Sequence, residues 1–427
     1  ALSNLLQIPL NRVRVRHIFS GGAFGGRSEV APGDFITALL SMKSGKPVKL
    51  VLSREENAIS SRQVHDIVAT IKTGVKQDGT ILAKEFKAIY NGGAYSSTGP
   101  IAASIPYYVY EEAYRFPNVK YDGYRVYTNK GIRGMYGCHG RAFLAGNEVQ
   151  LDMIAKDLGI DPMDIRIKNG LTLGEKTATK SWITSGNLAE PTQKAAEKAG
   201  WSSKRGKLPK NKGIGMGCVA IMTGFPMGFR SSSSCYVKLN DDGHATVVTG
   251  IVDNGQGNDS MAVQIASEIL GLPMEDINLV SADTEVTNLD PGAYSQAATF
   301  AGGNAVKKAC EHARNQILAL ASEKLNEAVE DLDLQNKMVI CRKNPEKKMP
   351  ISWITREAFF RAKPIAGIGS YIPKIDFDRE WISKPFGQMA GTYSFGTSVA
   401  EVEIDEETGK ITMPHFVTAH DCGKAIN

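Results

Sequence analysis

The chain has 427 residues, 42% apolar and 22% charged, with a net charge of +5. It is long enough for two or three domains with a sizeable core. Its charge is too evenly spread for a nucleic-acid-binding face, and it has no apolar run long enough for a transmembrane helix. The cysteines, Cys138, Cys218, Cys235, Cys310, Cys341 and Cys422, include no C-x-x-C pair. Zinc, iron–sulfur and disulfide frameworks are therefore not implied, and reduced thiols in a cytoplasmic protein are expected. The sequence opens on Ala1 in what reads as the end of a helix and stops at Asn427 just after a strand-like run, so both ends read as cut.

A short opening helix leads into an expected strand at Val13–Phe19. Phe35–Met42 predicts a helix stopped by Gly45, and Val48–Ser53 a compact buried strand. Asp66–Val75 and Ile81–Tyr90 alternate apolar and polar residues around Lys76–Gln77–Asp78–Gly79, a hairpin pattern. Apolar residues at helical spacing predict a helix over Phe143–Leu158 with Gly159 as its stop, and a short helix follows over Pro162–Asn169. Composition shifts at Trp201–Gly213, and Lys204–Lys212 reads as a solvated linker. The expected division is a first domain over 1–200, a linker over 201–213 and a second domain over 214–427. Beyond it lie a hairpin of Ser234–Leu239 with Ala245–Val252, helices at Ser260–Leu270 and about Asn304–Asn326, and a hairpin of Ser398–Ile404 with Ile411–Ala419. Strands and helices mix without strict alternation, which predicts an α+β fold.

Four glycine-rich loops stand out: Ser20–Arg27 (SGGAFGGR), Ile132–Arg141 (IRGMYGCHGR), Asp253–Asp259 (DNGQGND) and Pro291–Ala305 (PGAYSQAATFAGGNA). Glycine lets backbone amides approach a ligand closely. The last two loops precede predicted helices, whose N-termini favour anions. Singly, each is a tight turn; together, they suggest one large polar cofactor gripped from several sides. Gly215-x-Gly217-x-x-Ala220 has the spacing of a dinucleotide fingerprint, but a basic linker precedes it, so it reads as the start of a strand. The histidines are scattered, so no metal is expected to be ligated directly by the protein. Cys138 and His139 are adjacent in a loop and cannot readily face each other as a nucleophile pair.

In order and surroundings, these loops resemble those of the molybdenum-binding subunit of the xanthine oxidase, or molybdenum hydroxylase, family. The stretches GGAFGGR, IRGMYG, NGQGN and AYSQAATFAGGNAV carry the resemblance, with KPVKLVLSREEN, LDMIAKDLGIDPMDIRIKN and SVAEVEIDEETGKI flanking them. KYDGYRVYTN, RGKLPKNKGIGMG and the fourth loop look most like the large subunit of 4-hydroxybenzoyl-CoA reductase. The resemblance implies two mixed α/β molybdopterin-binding domains, incomplete at both ends.

It also implies roles. Phe24 and Gly25 would pack against the molybdenum face of the cofactor, Gly22 would bind it from the same loop, and Arg133 and Gly134 would bind it from the second loop. Asn254, Gly255 and Gln256 would contact the pterin side, and Ser295 and Gln296 the phosphate or dinucleotide tail. Met135, Tyr136 and His139 would border the substrate, where the loop departs from the common R-G-F-G-G-P-Q form. The implied cofactor is molybdopterin with molybdenum, alone or as the cytosine dinucleotide. The implied partners are a subunit with [2Fe–2S] clusters, a subunit with FAD, and a chain or segment carrying the general-base glutamate, so no catalytic residue is assigned here. The activity implied is hydroxylation of an aromatic, heterocyclic or aldehyde carbon with oxygen from water. Reductive dehydroxylation of a hydroxyaryl-CoA thioester and a non-catalytic scaffold are the alternatives.

Overall fold

The computed structural model describes residues 1–105, 113–137, 141–224, 232–374, 376–377 and 387–426. It opens with α1 (Leu2–Leu6), α2 (Pro32–Ser44) and α3 (Arg54–Ser60), followed by β1 (Asp66–Val75), β2 (Ile81–Asn91), α4 (Gly99–Ile105) and β3 (Asn118–Val126). Helices α5 (Arg141–Leu158), α6 (Pro162–Asn169), α7 (Ala189–Ala199) and α8 (Trp201–Lys204) come next, then β4 (Lys212–Thr223), β5 (Ser233–Leu239) and β6 (Ala245–Thr249). Then follow α9 (Asn258–Leu270), β7 (Ile277–Ser281), α10 (Gly303–Leu325), β8 (Leu332–Gln335), β9 (Met338–Cys341), β10 (Lys348–Pro350) and α11 (Ile351–Phe360). The described chain closes with β11 (Ala366–Tyr371), β12 (Asp376–Phe377), β13 (Gly387–Gln388), β14 (Thr392–Ile404) and β15 (Ile411–Asp421). No helix among the described residues is long and apolar enough to cross a membrane.

The elements form two compact units. One combines Ala1–Ala23 with Gly224–Lys374; the other combines Phe24–Thr223 with Ile375–Ala425. The expected linker at 201–213 falls inside the second of these, where Trp201 is 1% exposed and its indole N–H donates to Asp161.

In the unit built on Gly224–Lys374, the sheet runs β11-β5-β6-β7. Its core is lined by α10, whose Ala305, Ala309, Ala313, Ile317 and Ala321 recur every fourth residue and are buried. Small residues on that face let β11 come very close. A Cβ at Gly369 would lie 2.2 Å from the Ala305 carbonyl oxygen, and one at Gly367 would lie 1.9 Å from that of Ala309.

The other unit holds the sheets β1-β2-β3 and β15-β14-β4. The β1–β2 turn closes as its sequence predicts, with Gly79 at φ +82° and Asp78 Oδ1 accepting the Thr80 N–H at 3.0 Å. Strand β4 carries the Gly215-x-Gly217 spacing in its first half and pairs antiparallel with β14, from Lys212↔Glu403 to Thr223↔Thr392. A buried pair, Arg166 with Glu148, ties α5, α6 and β4 together. The fully buried Arg166 donates through Nε to Glu148 Oε2 at 2.8 Å and through Nη1 to Asp152 Oδ1 at 2.7 Å. Glu148 also accepts the Cys218 N–H at 2.9 Å and the Tyr114 hydroxyl at 2.7 Å.

Two expected strands are not regular strands. Val48–Ser53 finds no pairing partner among the described residues, and Val51 is 71% exposed. An apolar run marks a surface that wants covering, but a strand also needs a neighbour for its hydrogen bonds. Val13–Phe19 makes only a bridge at Arg16↔Asp283, steadied by Arg14 donating to Asp283.

Candidate functional site: four glycine-rich loops

In the second unit the first and second loops meet. The Gly137 N–H donates to the Phe24 carbonyl, and a Cβ at Gly25 would lie 2.4 Å from the Met135 carbonyl oxygen. Gly25 sits at φ +87°, so both conformation and space call for glycine there. Phe24 itself is left-handed at φ +48° and 74% exposed, so its ring is not a core wedge. Strain of this kind concentrates at functional positions.

The second loop is anchored from below. Gly134 N–H donates to Gln63 O at 2.9 Å and Met135 N–H to Thr98 Oγ1 at 3.2 Å. Arg133 Nη1 donates to Val64 O at 3.1 Å, while its buried Nε has no acceptor among the described residues. A Cβ on Gly134 would strike Arg62 Cδ at 2.1 Å. Arg62, only 7% exposed, reaches Glu29 at 3.4 Å and Ser97 at 3.4 Å. It thus joins the segment after the first loop to the floor of the second. Beneath lies His65, whose pKa falls from near 6.5 to about 4, chiefly through burial and then through the charges of Arg125 and Arg133, against the pull of Asp66. Tyr136 is 39% exposed; Cys138 and His139 lie outside the described residues.

In the first unit the third loop leads into α9 and the fourth into α10 through a π turn at Ala298–Gly302. The two helix starts are neighbours: a Cβ at Gly303 would lie 3.4 Å from Met261 Sδ, in the first turns of α9. Gln256 Oε1 accepts the Asn254 N–H at 2.6 Å, and Nε2 reaches Val252 O at 3.4 Å. Gly22, at φ +109°, lies at the end of this unit's N-terminal segment. A Cβ at Gly255 would be 3.5 Å from Ser20 O, so the first loop's beginning borders the third. Ser295 and Gln296 are consecutive left-handed residues, at φ +48° and +51°, and Ser295 O accepts the Gly224 N–H at 2.8 Å.

Within each unit, then, the structure pairs glycine loops that are far apart in sequence: the first with the second, and the first with the third. Sequence reasoning missed Asp253, whose Asp-x-Gly spacing is the signature of a side chain capping its own turn. It also missed Arg62, Glu29 and Ser97, which carry no local signal because their meeting depends on tertiary folding.

The fold is of molybdenum hydroxylase type. Quinoline 2-oxidoreductase from Pseudomonas putida 86 matches all of the chain with a TM-score of 0.87 at 24% identity, the match covering 56% of that chain. The aldehyde oxidoreductase of Desulfovibrio gigas matches all of it with a TM-score of 0.83 at 22% identity, over 44% of its own chain. Residues 1–170 and 188–427 each match a model of the molybdopterin cofactor-binding domain, and the chain belongs to that family.

Among named relatives, the xanthine dehydrogenase molybdenum-binding subunit of Escherichia coli O157:H7 is 28% identical over 434 residues, covering 99% of this chain and 56% of that protein. The nicotine 6-hydroxylase large subunit of Paenarthrobacter nicotinovorans is 26% identical over 460 residues, covering 100% and 54% respectively. The chain thus spans about half the length of these relatives.

Proposed function

We propose that this chain binds a molybdenum-bearing molybdopterin through its glycine-rich loops and serves a xanthine-oxidase-family oxidoreductase. The observation that carries the reading is a pair of loop assemblies with polar capacity left over. Arg133 Nε is buried without an acceptor among the described residues, and exposed Gln256 makes only one long contact through Nε2. Such donors suit an anionic ligand rich in acceptor atoms.

In this reading Phe24, held left-handed beside the Gly25–Met135 contact, offers its ring as a wall. Gly22 borders the ligand, Gly134 makes room for Arg62 beneath the second loop, Arg133 and Gln256 donate to the ligand, and Asn254 and Gly255 shape the third loop. Ser295 and Gln296 line the tail, in mononucleotide or cytosine dinucleotide form. Met135 and Tyr136 border a small aromatic or heterocyclic substrate; His139, also assigned to this loop from the sequence, lies outside the described residues. When bound, the cofactor would take two electrons from the substrate carbon, whose new oxygen comes from water. The protein's part is to orient both and to present fixed dipoles.

We further assign the general-base glutamate to another chain or segment, and electron exit to partners bearing [2Fe–2S] clusters and FAD. A cytoplasmic setting suits the buried thiols of Cys218, Cys235, Cys310 and Cys341. The KYDGYRVYTN stretch favours the aryl-CoA reductase branch within the family.

Metal and pterin analysis of the purified native protein tests the reading. About one molybdenum and one pterin per chain is expected, and protein free of both would sink it. Reduction of that protein by an N-heterocycle or aldehyde supports hydroxylation. Reoxidation of the reduced protein by 4-hydroxybenzoyl-CoA, with no reduction by heterocycles, would favour the reductive alternative. Gln256→Ala should weaken cofactor retention by roughly 1–3 kcal/mol, the worth of one unmade polar contact, with folding little changed. A variant that unfolds while the cofactor-free parent stays folded would count against the ligand role.

A further inference from the structure

Asp253 opens the third loop, and its charge is spent inside that loop. Oδ1 accepts the N–H groups of Gly255 at 2.7 Å and Gly257 at 3.3 Å, and Oδ2 accepts that of Asp259 at 3.0 Å. The carboxylate therefore occupies the amides at the start of α9 that the sequence alone offers to a ligand anion. Burial pushes the Asp253 carboxyl up, but these N–H groups and the nearby His17 more than offset it and hold it below its ordinary value.

Gln256 lies between two of the three residues so held. Gly255 and Gly257 sit at φ +105° and +84°, conformations of a tight and otherwise permissive turn. With both amides tied to one carboxylate, the backbone at Gln256 has little freedom. Its side chain is then fixed from within the loop by the Asn254 N–H at 2.6 Å.

We propose that Asp253 is a positioning residue that acts through Gln256, holding the third loop in its cofactor-receiving shape. The assignment rests on the cofactor reading above. An amide could not replace the carboxylate: asparagine has one acceptor oxygen, and its NH2 group would face a backbone N–H.

The test is a double-mutant cycle in the native holoprotein with all its chains, read as the rate of molybdenum and pterin release on dilution. Gln256→Ala and Asp253→Asn should each speed release by about tenfold or more, the consequence of losing polar or charge-assisted bonds. The double variant should release no faster than Gln256→Ala alone, because the two residues act as one unit. If Asp253→Asn does not accumulate as folded protein, Asp253→Glu carries the same cycle, and its effect should vanish in the Gln256→Ala background.

Multiplying effects would overturn the proposal. So would an Asp253→Asn protein that loses stability in its cofactor-free form yet releases cofactor at the parental rate. A parent protein without molybdenum, or a Gln256→Ala variant with parental release, would instead overturn the cofactor reading, and this assignment with it.

Discussion

Arg166 shows what a single side chain can hold together. Its guanidinium is fully buried among Glu148, Asp152 and the Pro162 carbonyl. Removing one partner of such a buried pair strands the other charge. Arg166→Met should therefore cost about 3–5 kcal/mol of unfolding free energy, measured in urea, more than its lost packing alone. A loss within experimental error would show that Glu148 finds water or a new donor.

His65 makes a pH-dependent counterpart. Its folded pKa lies near 4, against an ordinary value near 6.5. Below 6.5 the unfolded chain takes up a proton that the folded one refuses, so this residue's contribution is whole above pH 6.5 and shrinks toward pH 4. Its share of the slope is at most about 1.4 kcal/mol per pH unit. His65→Gln should flatten the stability curve in that window, and an unchanged slope would refute the assignment. Neither residue was singled out in advance: a lone arginine on a predicted helix and a lone histidine beside a strand give no sign of what tertiary folding will place around them.

At the scale of elements, local pattern served well wherever the partner was nearby. The β1–β2, β5–β6 and β14–β15 hairpins were legible because alternation and the Asp-Gly or Glu-to-Gly turns sit within one short window. Helix α6 was legible from Pro162 at its start, and α10 from its long apolar stripe. What stayed hidden was pairing at a distance. Val48–Ser53 has the composition of a strand but no pairing neighbour among the described residues, whereas the glycine-rich first half of β4 gains its partner β14 from far along the chain.

The β11–α10 contact belongs here too. The glycines of β11 read as weak strand formers, yet they let the strand touch the helix backbone. Gly369→Ala should cost about 1–3 kcal/mol or more, because its new methyl would meet backbone, which cannot rotate away. Full stability in that variant would mean that β11 can shift outward without loss.

For the whole chain, the candidate site was legible as a set of loops but not as a geometry. Composition and resemblance pointed to Phe24, Arg133, Gln256 and Ser295; they gave no hint that Gly25 would press on Met135, or that Arg62 would underlie Gly134. Among the described residues, one core cluster is drawn from Cys235–Ile365 and smaller ones gather around Phe86 and Trp201. Calorimetry of the cofactor-free chain should therefore resolve two unfolding transitions, and one symmetric transition with equal calorimetric and van't Hoff enthalpies would contradict that.

The antiparallel pairing of β4 with β14 has a consequence for biosynthesis. Residues Lys212–Thr223 leave the ribosome long before Thr392–Ile404, and the core of the other unit is encoded entirely between them. Strand β4 must wait, unpaired on its β14 side, while that intervening core is made. Folding the insert first shortens the effective loop to be closed and lowers its entropic cost. Translation order thus favours a sequence in which the inner unit matures first and the outer one is sealed last. Slowing elongation through 233–371 should spare the yield of native protein, whereas mutations that delay folding of that insert should leave β4 exposed to misassociation.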